Sequence, residues 1–105
     1  LIAFTDFNRQ QLDGYTQDII NMDNIDTRWL GFNWHVQRIN GHDFNQIAHA
    51  IECAKQAKDR PSMIILDTIK SKGYLPGEGI KANHSMAVSH EDEERAVEAL
   101  IGGAK

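Results

Sequence analysis

Apolar residues are concentrated in three short runs, which predict three β-strands. Leu1 to Thr5 is nearly all apolar, and Trp34 to Ile39 alternates, so that its side chains point to two different faces. Ser62 to Ile69 contains the unbroken apolar run Met63 to Leu66. A run of this kind is typical of a strand that is covered on both faces of a sheet.

Helical periodicity lies between the second and third runs. Asp43 is placed to cap this helix, and Gln46 three residues later completes a capping box. Pro61 stops the helix. The basic residues that precede it suit the negative, C-terminal end of the helix dipole. The apolar positions recur every three or four residues and predict one buried face, formed by Phe44, Ile47, Ile51 and Ala54.

Two further helices are predicted by similar spacing. Asn24 to Phe32 holds a short one, and a longer one is capped by Ser89 and ends at Gly102-Gly103. The stretches Phe7 to Gly14 and Lys70 to Val88 are predicted loops. The second is longer than most connections in a compact domain, which is typical of a functional segment.

The order of these elements predicts the fold class. A strand, a helix and a strand joined by short connections form a βαβ unit, in which the strands are parallel. The chain is therefore predicted to be α/β, as part of a doubly wound parallel sheet. Since it begins at Leu1 within a strand rather than at a methionine, we expect it to be a fragment of a larger domain.

Composition excludes several classes of protein. The 105 residues carry a net charge of −4, which disfavours a nucleic-acid-binding module. No apolar run approaches the roughly 20 residues that cross a bilayer, and nothing resembles a signal peptide. Cys53 is the single cysteine, so these residues hold no internal disulfide. We expect a cytoplasmic protein that binds neither nucleic acid nor a membrane.

Candidate chemistry follows the ends of the strands, because ligands of open α/β sheets bind beyond the carboxyl ends of the strands. After the first strand, Asn8 offers an amide oxygen that suits Mg²⁺, although asparagine also forms turns. After the third strand, Lys70 and Lys72 can meet phosphate oxygens, although lysines in loops are commonly only solvated. His42, in a strand-to-helix turn, is expected to bond the backbone rather than a metal.

Four blocks of sequence, in order and covering nearly the whole chain, carry a resemblance to a known family. They are Asn8 with Leu12-Asp13-Gly14, Trp29 to Val36, Asn40-Gly41-His42-Asp43, and Pro61 to Gly73. Residues 1–105 resemble the C-terminal portion of the diphosphate-binding, N-terminal domain of the transketolase family. The resemblance is greatest to the split bacterial form, in which this domain is a separate subunit.

The resemblance implies thiamine diphosphate and Mg²⁺ (or Ca²⁺) as cofactors, and the transfer of a two-carbon ketol unit between sugar phosphates. By the family's motif, the side-chain oxygen of Asn8 and the backbone carbonyl of Gln10 bind the metal, which in turn binds the diphosphate. Lys70 matches a lysine near the cofactor. His84 matches a histidine that contacts cofactor phosphate or substrate, and it is the candidate catalytic residue.

Two departures qualify the resemblance. Ser85 follows His84 where the family has glycine, which changes the backbone conformations allowed there. The family's Gly-Asp-Gly motif, whose aspartate also binds the metal, and its pyrimidine-binding domain or subunit would lie outside residues 1–105. We therefore expect these residues to be inactive alone and to act within a homodimer or hetero-oligomer. A deoxyxylulose-phosphate-synthase-like thiamine enzyme and a non-catalytic α/β relative remain the alternatives.

Overall fold

A three-stranded parallel sheet organises the chain, whose residues 1–103 are described by a computed structural model. In chain order the elements are β1 (Ile2–Phe7), β2 (Gln10–Gln11), β3 (Gly14–Tyr15), α1 (Thr16–Ile19), α2 (Ile25–Gly31), β4 (His35–Asn40), α3 (Phe44–Gln56), β5 (Ser62–Asp67) and α4 (His90–Gly103). The sheet has the order β1-β5-β4 with both pairs parallel, which confirms the predicted fold class. The predicted domain boundary at residue 105 lies outside the described residues.

The central strand is β5, and its unbroken apolar run explains that place. Met63, Ile64 and Ile65 are almost fully buried, because hydrogen-bonded strands flank β5 on both edges and helices cover both of its faces. Side chains alternate across a strand, so Met63 and Ile65 contribute to one core while Ile64 contributes to the other. The predicted burial of this strand on both faces is confirmed.

The first core lies on the α2 face of the sheet. Phe7 and Ile25 are buried there with Met63 and Ile65, and the half-buried rings of Trp29 and Trp34 pack against them. The ring centroids of these two tryptophans are 4.9 Å apart in a tilted arrangement. Such aromatic pairs bury a large area and favour offset or tilted contacts. The predicted short helix is therefore held against the sheet by Ile25 and Trp29.

The second core lies under α3, whose buried face differs from the prediction at one residue. Ala50 and Ala54 are buried against Ile64, but Phe44 is 86% exposed. At 3.6 residues per turn, Phe44 stands roughly 100° around the helix from the midpoint of the two alanines. Its inclusion in the buried face was therefore wrong, and Ala50 takes its place.

The predicted N-cap of α3 at Asp43 is confirmed, but the reciprocal bond of a capping box is replaced, because the Asp43 N–H donates to the Asn40 carbonyl. The Asp43 carboxylate accepts hydrogen bonds from the backbone N–H groups of Asn45 and Gln46 at 2.9 and 3.1 Å. The Gln46 side chain donates to the same carboxylate at 3.0 Å. These bonds, led by that from the backbone of Gln46, lower the pKa of Asp43, because each of them stabilises the charged carboxylate.

Three predicted boundaries differ from the structure. β1 runs on to Phe7, because Phe7 still pairs with Asp67, and β5 ends at Asp67 rather than at Ile69. The predicted loop from Phe7 to Gly14 contains β2 and the start of β3, which form a small antiparallel hairpin. Within residues 1–103, no helix combines the length and apolar composition needed to cross a membrane.

Two arginines share one carboxylate at the carboxyl end of the sheet. Asp67 Oδ1 accepts from Arg9 at 2.8 Å, and its two oxygens accept from Arg38 at 2.7 and 2.9 Å. Both guanidinium groups also lie over the Phe7 ring, about 5 Å from its centroid. The hydrogen bond from Arg38 is the main cause that lowers the pKa of Asp67.

Asp67→Asn is expected to lower the free energy of unfolding of the protein by about 1–2 kcal/mol at neutral pH, because it removes a charge that two arginines share. The folded-state pKa of Asp67 lies below its ordinary value. The contribution is therefore complete above a pH of about 4 and is lost as the pH falls through the depressed folded pKa.

Urea unfolding of wild type and variant between pH 3 and 7 measures this difference. Asp59→Asn is the control, since Asp59 is 75% exposed and lies 3.6 Å from Arg60; it should change stability little. An Asp67→Asn deficit that persists undiminished at the acid end would contradict this account.

Gly41 lets the β4–α3 turn approach the end of β5 closely. Its N–H donates to the Asp67 carbonyl at 2.8 Å. A Cβ added at Gly41 would lie 2.8 Å from Leu66 Cβ and would also meet Thr68 Cγ2. The turn therefore requires a residue without a side chain at this position.

Gly41→Ala is expected to destabilise the protein by roughly 1–3 kcal/mol, because the added methyl group overpacks the junction. Gly31→Ala is the matched control, since nothing lies within 4 Å of its added Cβ, and it should be neutral or slightly stabilising. Thermal unfolding of the two variants checks this, and equal midpoints would refute the close packing of the turn.

Candidate functional site

A pocket of about 330 Å³ lies beyond the carboxyl ends of β1 and β5. Its lining residues are Asn8, Arg9, Gln10, Tyr15, Thr16, Gln17, Asp23, Thr68, Ile69 and Lys70. Of the four site residues that the family resemblance implies, Asn8, Gln10 and Lys70 therefore come together at one place, whereas His84 does not line it. They meet because the parallel pairing of β1 with β5 brings both strand ends to the same edge of the sheet.

The Asn8 side chain builds the turn that follows β1. Its Oδ1 accepts from the backbone N–H of Gln10 at 2.9 Å, and Arg9 between them has a φ of 58°. The N–H of Thr16 then donates to the Arg9 carbonyl at 2.9 Å, which ties the turn to the start of α1. An amide oxygen has two lone pairs, so the turn leaves Asn8 Oδ1 able to accept one further bond or bind a metal ion.

Two oxygen atoms at the pocket have no hydrogen-bond partner among the described residues although they are buried. They are Gln10 Oε1 and Thr16 Oγ1. The Gln10 side chain is held by its Nε2, which donates to the Ile80 carbonyl at 3.5 Å. Buried polar atoms are normally paired, so these oxygens mark a place for a donor or a hard cation.

Most of the oxygen atoms offered by the pocket's side chains are neutral, and Asp23 is the one acidic residue of the lining. Across residues 1–103, no three His, Cys, Asp or Glu side chains gather as a metal-binding cluster. The pocket contains the carboxylate of Asp23, while the charge of Arg9 is shared with Asp67. The lining thus supplies amide and hydroxyl oxygens, the carboxylate of Asp23 and the ammonium group of Lys70.

Lys70 and His84 lie side by side. The Lys70 ammonium is 3.3 Å from His84 Nδ1, and since an ammonium only donates, that nitrogen is the acceptor. His84 is exposed and lies outside the pocket lining. Lys72 instead pairs with Glu78 at 2.9 Å and lowers the pKa of that carboxyl, so the two lysines of the loop have different partners.

The long segment between β5 and α4 lies against the hairpin at the mouth of the pocket. The Lys81 ammonium stands 4.9 Å from the centroid of the Tyr15 ring and 3.7 Å from Asp18. Within the segment, the Asn83 side chain donates to the Gly77 carbonyl at 2.7 Å. These contacts hold the segment in place beside the predicted ligand residues.

Sequence reasoning missed the part of the pocket formed by the hairpin and α1. Tyr15, Thr16 and Gln17 line the pocket from this side. The one local signal is Asp13-Gly14, a pair favoured in hairpin turns. Strands of two residues are too short to show any alternation of apolar and polar positions.

Comparison with known proteins identifies the family of this site. The family model for "Transketolase, thiamine diphosphate binding domain" matches residues 1–102. The 6-deoxy-6-sulfo-D-fructose transketolase subunit of Clostridium sp. (strain MSTE9) is 48% identical over 100 residues, which are 95% of this chain and 36% of that protein. An apulose-4-phosphate transketolase subunit of Phocaeicola vulgatus is 31% identical over 97 residues, which are 92% of this chain and 34% of that protein.

Solved structures agree with this assignment. A transketolase variant of Pichia stipitis in complex with fructose-6-phosphate superposes with a TM-score of 0.68 at 25% sequence identity. The superposition covers 99% of this chain and 19% of that one.

The chain spans about a third of the length of the two bacterial relatives above. From the match over residues 1–102, the chain belongs to the transketolase family, as part of its thiamine diphosphate-binding domain.

Proposed function

We propose that this chain forms the diphosphate and metal side of a transketolase active site, within a larger assembly that moves a two-carbon ketol unit between sugar phosphates. The observation that carries the proposal is the convergence of Asn8, Gln10 and Lys70 on one pocket at the carboxyl edge of the sheet. When bound, thiamine diphosphate supplies the carbanion-stabilising chemistry of this transfer, and the protein supplies position and charge.

The donor set of the pocket fits a diphosphate held through a hard cation. Mg²⁺ prefers oxygen ligands and is commonly held by a few protein atoms together with phosphate oxygens and water. Asn8 Oδ1 and the backbone carbonyl of Gln10 are neutral oxygens on one turn, which Asn8 Oδ1 closes by accepting from the Gln10 N–H. We assign Asn8 and the backbone carbonyl of Gln10 as metal ligands. The carboxylate that completes such a site is proposed to come from elsewhere in the assembly.

Lys70 and His84 have separate roles in this proposal. Lys70, which follows β5 and lines the pocket together with the Asn8 turn, holds phosphate oxygens with its ammonium group. His84, which accepts from Lys70, orients that ammonium and faces outward, where it is placed to contact a sugar substrate. An exposed position suits a residue that meets a substrate brought by a partner subunit.

The named relatives support a split assembly with an anionic sugar as substrate. Both relatives are named as subunits of transketolases, one for a sulfonated sugar and the other for a phosphorylated one. We propose that a pyrimidine-binding partner subunit completes the site here. The donor and acceptor sugars then carry a phosphate or a sulfonate group. Assays that compare fructose-6-phosphate with 6-deoxy-6-sulfofructose as donor distinguish a phosphate-selective from a sulfonate-selective enzyme.

Asn8→Ala in the protein assembled with its partner is expected to weaken binding of Mg²⁺ and thiamine diphosphate. Residues that only support a ligand cost 10- to 100-fold in metal affinity when lost, so the loss of a direct ligand should cost at least about that. Titration of the cofactor by calorimetry at several Mg²⁺ concentrations measures the effect.

Asn21→Ala is the matched control for this experiment. Asn21 Oδ1 accepts from the N–H of Asp23 at 2.8 Å, which is the same kind of turn. Asn21 itself does not line the pocket, although Asp23 does. Asn21→Ala should therefore weaken cofactor binding far less than Asn8→Ala. Equal losses in the two variants would reduce Asn8 to a turn former, and a wild-type assembly that binds no cofactor would favour the non-catalytic relative.

Lys70→Met is expected to weaken thiamine diphosphate binding by roughly tenfold and to make that binding less sensitive to salt, because an ammonium–phosphate pair is lost. Lys72→Met is the neighbouring control, since Lys72 pairs with Glu78 outside the pocket lining. Dissociation constants at low and high salt decide between them. If Lys72→Met has the larger effect, the assignment of Lys70 is wrong.

A further inference from the structure

The turn between β4 and α3 does not line the pocket, yet it holds one wall of it. Gly41 N–H donates to the Asp67 carbonyl at 2.8 Å. One residue further on, His42 Nε2 accepts from the backbone N–H of Ile69 at 2.8 Å. Ile69 and Lys70 both line the pocket, so the hydrogen bond to His42 fixes the backbone of the residue directly before Lys70.

The turn that carries His42 is itself well fixed. The N–H of His42 donates to Asn40 Oδ1 at 2.9 Å, and the N–H of Asn40 donates to Gln46 Oε1 at 3.0 Å. Asp43, next in the chain, caps α3. The imidazole is therefore positioned by the end of β4 and the start of α3. Side chains supported by regular elements are held more precisely than side chains on loops.

Thr68, which precedes Ile69, is bonded to β1 at the other edge of the sheet. The N–H of Thr68 donates to the Phe7 carbonyl at 3.4 Å, and the Thr68 hydroxyl donates to the Asp6 carboxylate. Beyond Ile69 the chain leaves the sheet for the long segment over the hairpin. The bond from the Ile69 N–H to His42 thus joins this segment to the β4–α3 turn directly before Lys70.

We propose that His42 is a positioning residue for the cofactor site, which holds the Ile69–Lys70 wall of the pocket through its Nε2. A backbone N–H can only donate, so Nε2 must be the unprotonated nitrogen of the ring. His42 is not itself a lining residue and acts through Ile69. This inference rests on the proposed function for its cofactor readout, but the hydrogen bond to Ile69 can be tested without a cofactor.

The test compares His42→Gln with His42→Phe in the full-length protein with its partner. Glutamine places an amide oxygen near the position of Nε2 and keeps the acceptor, whereas phenylalanine keeps the ring and loses the acceptor. For His42→Phe we expect the KM for thiamine diphosphate to rise roughly 3- to 10-fold, as for the loss of one net hydrogen bond. The kcat at saturating cofactor should stay within about twofold. His42→Gln should restore the KM.

Amide hydrogen exchange at Ile69 provides the readout that is independent of the cofactor. We expect exchange at Ile69 to be faster in His42→Phe, and to stay close to the wild-type rate in His42→Gln. Unchanged exchange and unchanged KM in His42→Phe, or equal losses in both variants, would overturn the inference. If the wild type binds no thiamine diphosphate while exchange still responds as expected, the His42–Ile69 bond stands and the proposed function fails.

Discussion

The parallel pairing of β1 and β4 with β5 is the interaction on which the rest of this structure depends. Because Phe7 and Asn40 both pair with Asp67, three chain segments leave the sheet side by side. One carries the Asn8 turn, one carries Gly41 and His42, and one carries Ile69 and Lys70. The pocket exists because these segments start at a common edge. A shift in the register of β5 would move its lining residues apart.

Charge at this edge is arranged around a single carboxylate. Asp67 binds both Arg9 and Arg38, and the Phe7 ring lies under both guanidinium groups. Although Arg9 lines the pocket, its guanidinium group is thereby bonded to Asp67. Among the described residues Lys70 forms no ion pair, which leaves its ammonium as the pocket's available positive charge for an anionic ligand.

The sequence predicted those features of the fold that depend on residues close together in the chain. The helix cap at Asp43 and the doubly covered run of β5 are local patterns, and both are confirmed. The hairpin escaped prediction, since its strands are too short for a pattern. Phe44 was misplaced because an apolar residue in the first turn fits the helical spacing without having a strand beneath it.

By itself, the sequence determined the class of fold and the order of the sheet's strands and main helices, because apolar periodicity is a property of short stretches of chain. Strand ends pointed to Asn8 and Lys70 as candidate ligands, and the family resemblance added Gln10. Only the tertiary structure decided that these ligands share one pocket and that His84 lies beside Lys70. It alone showed that His42 holds the pocket wall. Such contacts join residues far apart in sequence, and their geometry follows from how the strands pair and the helices pack.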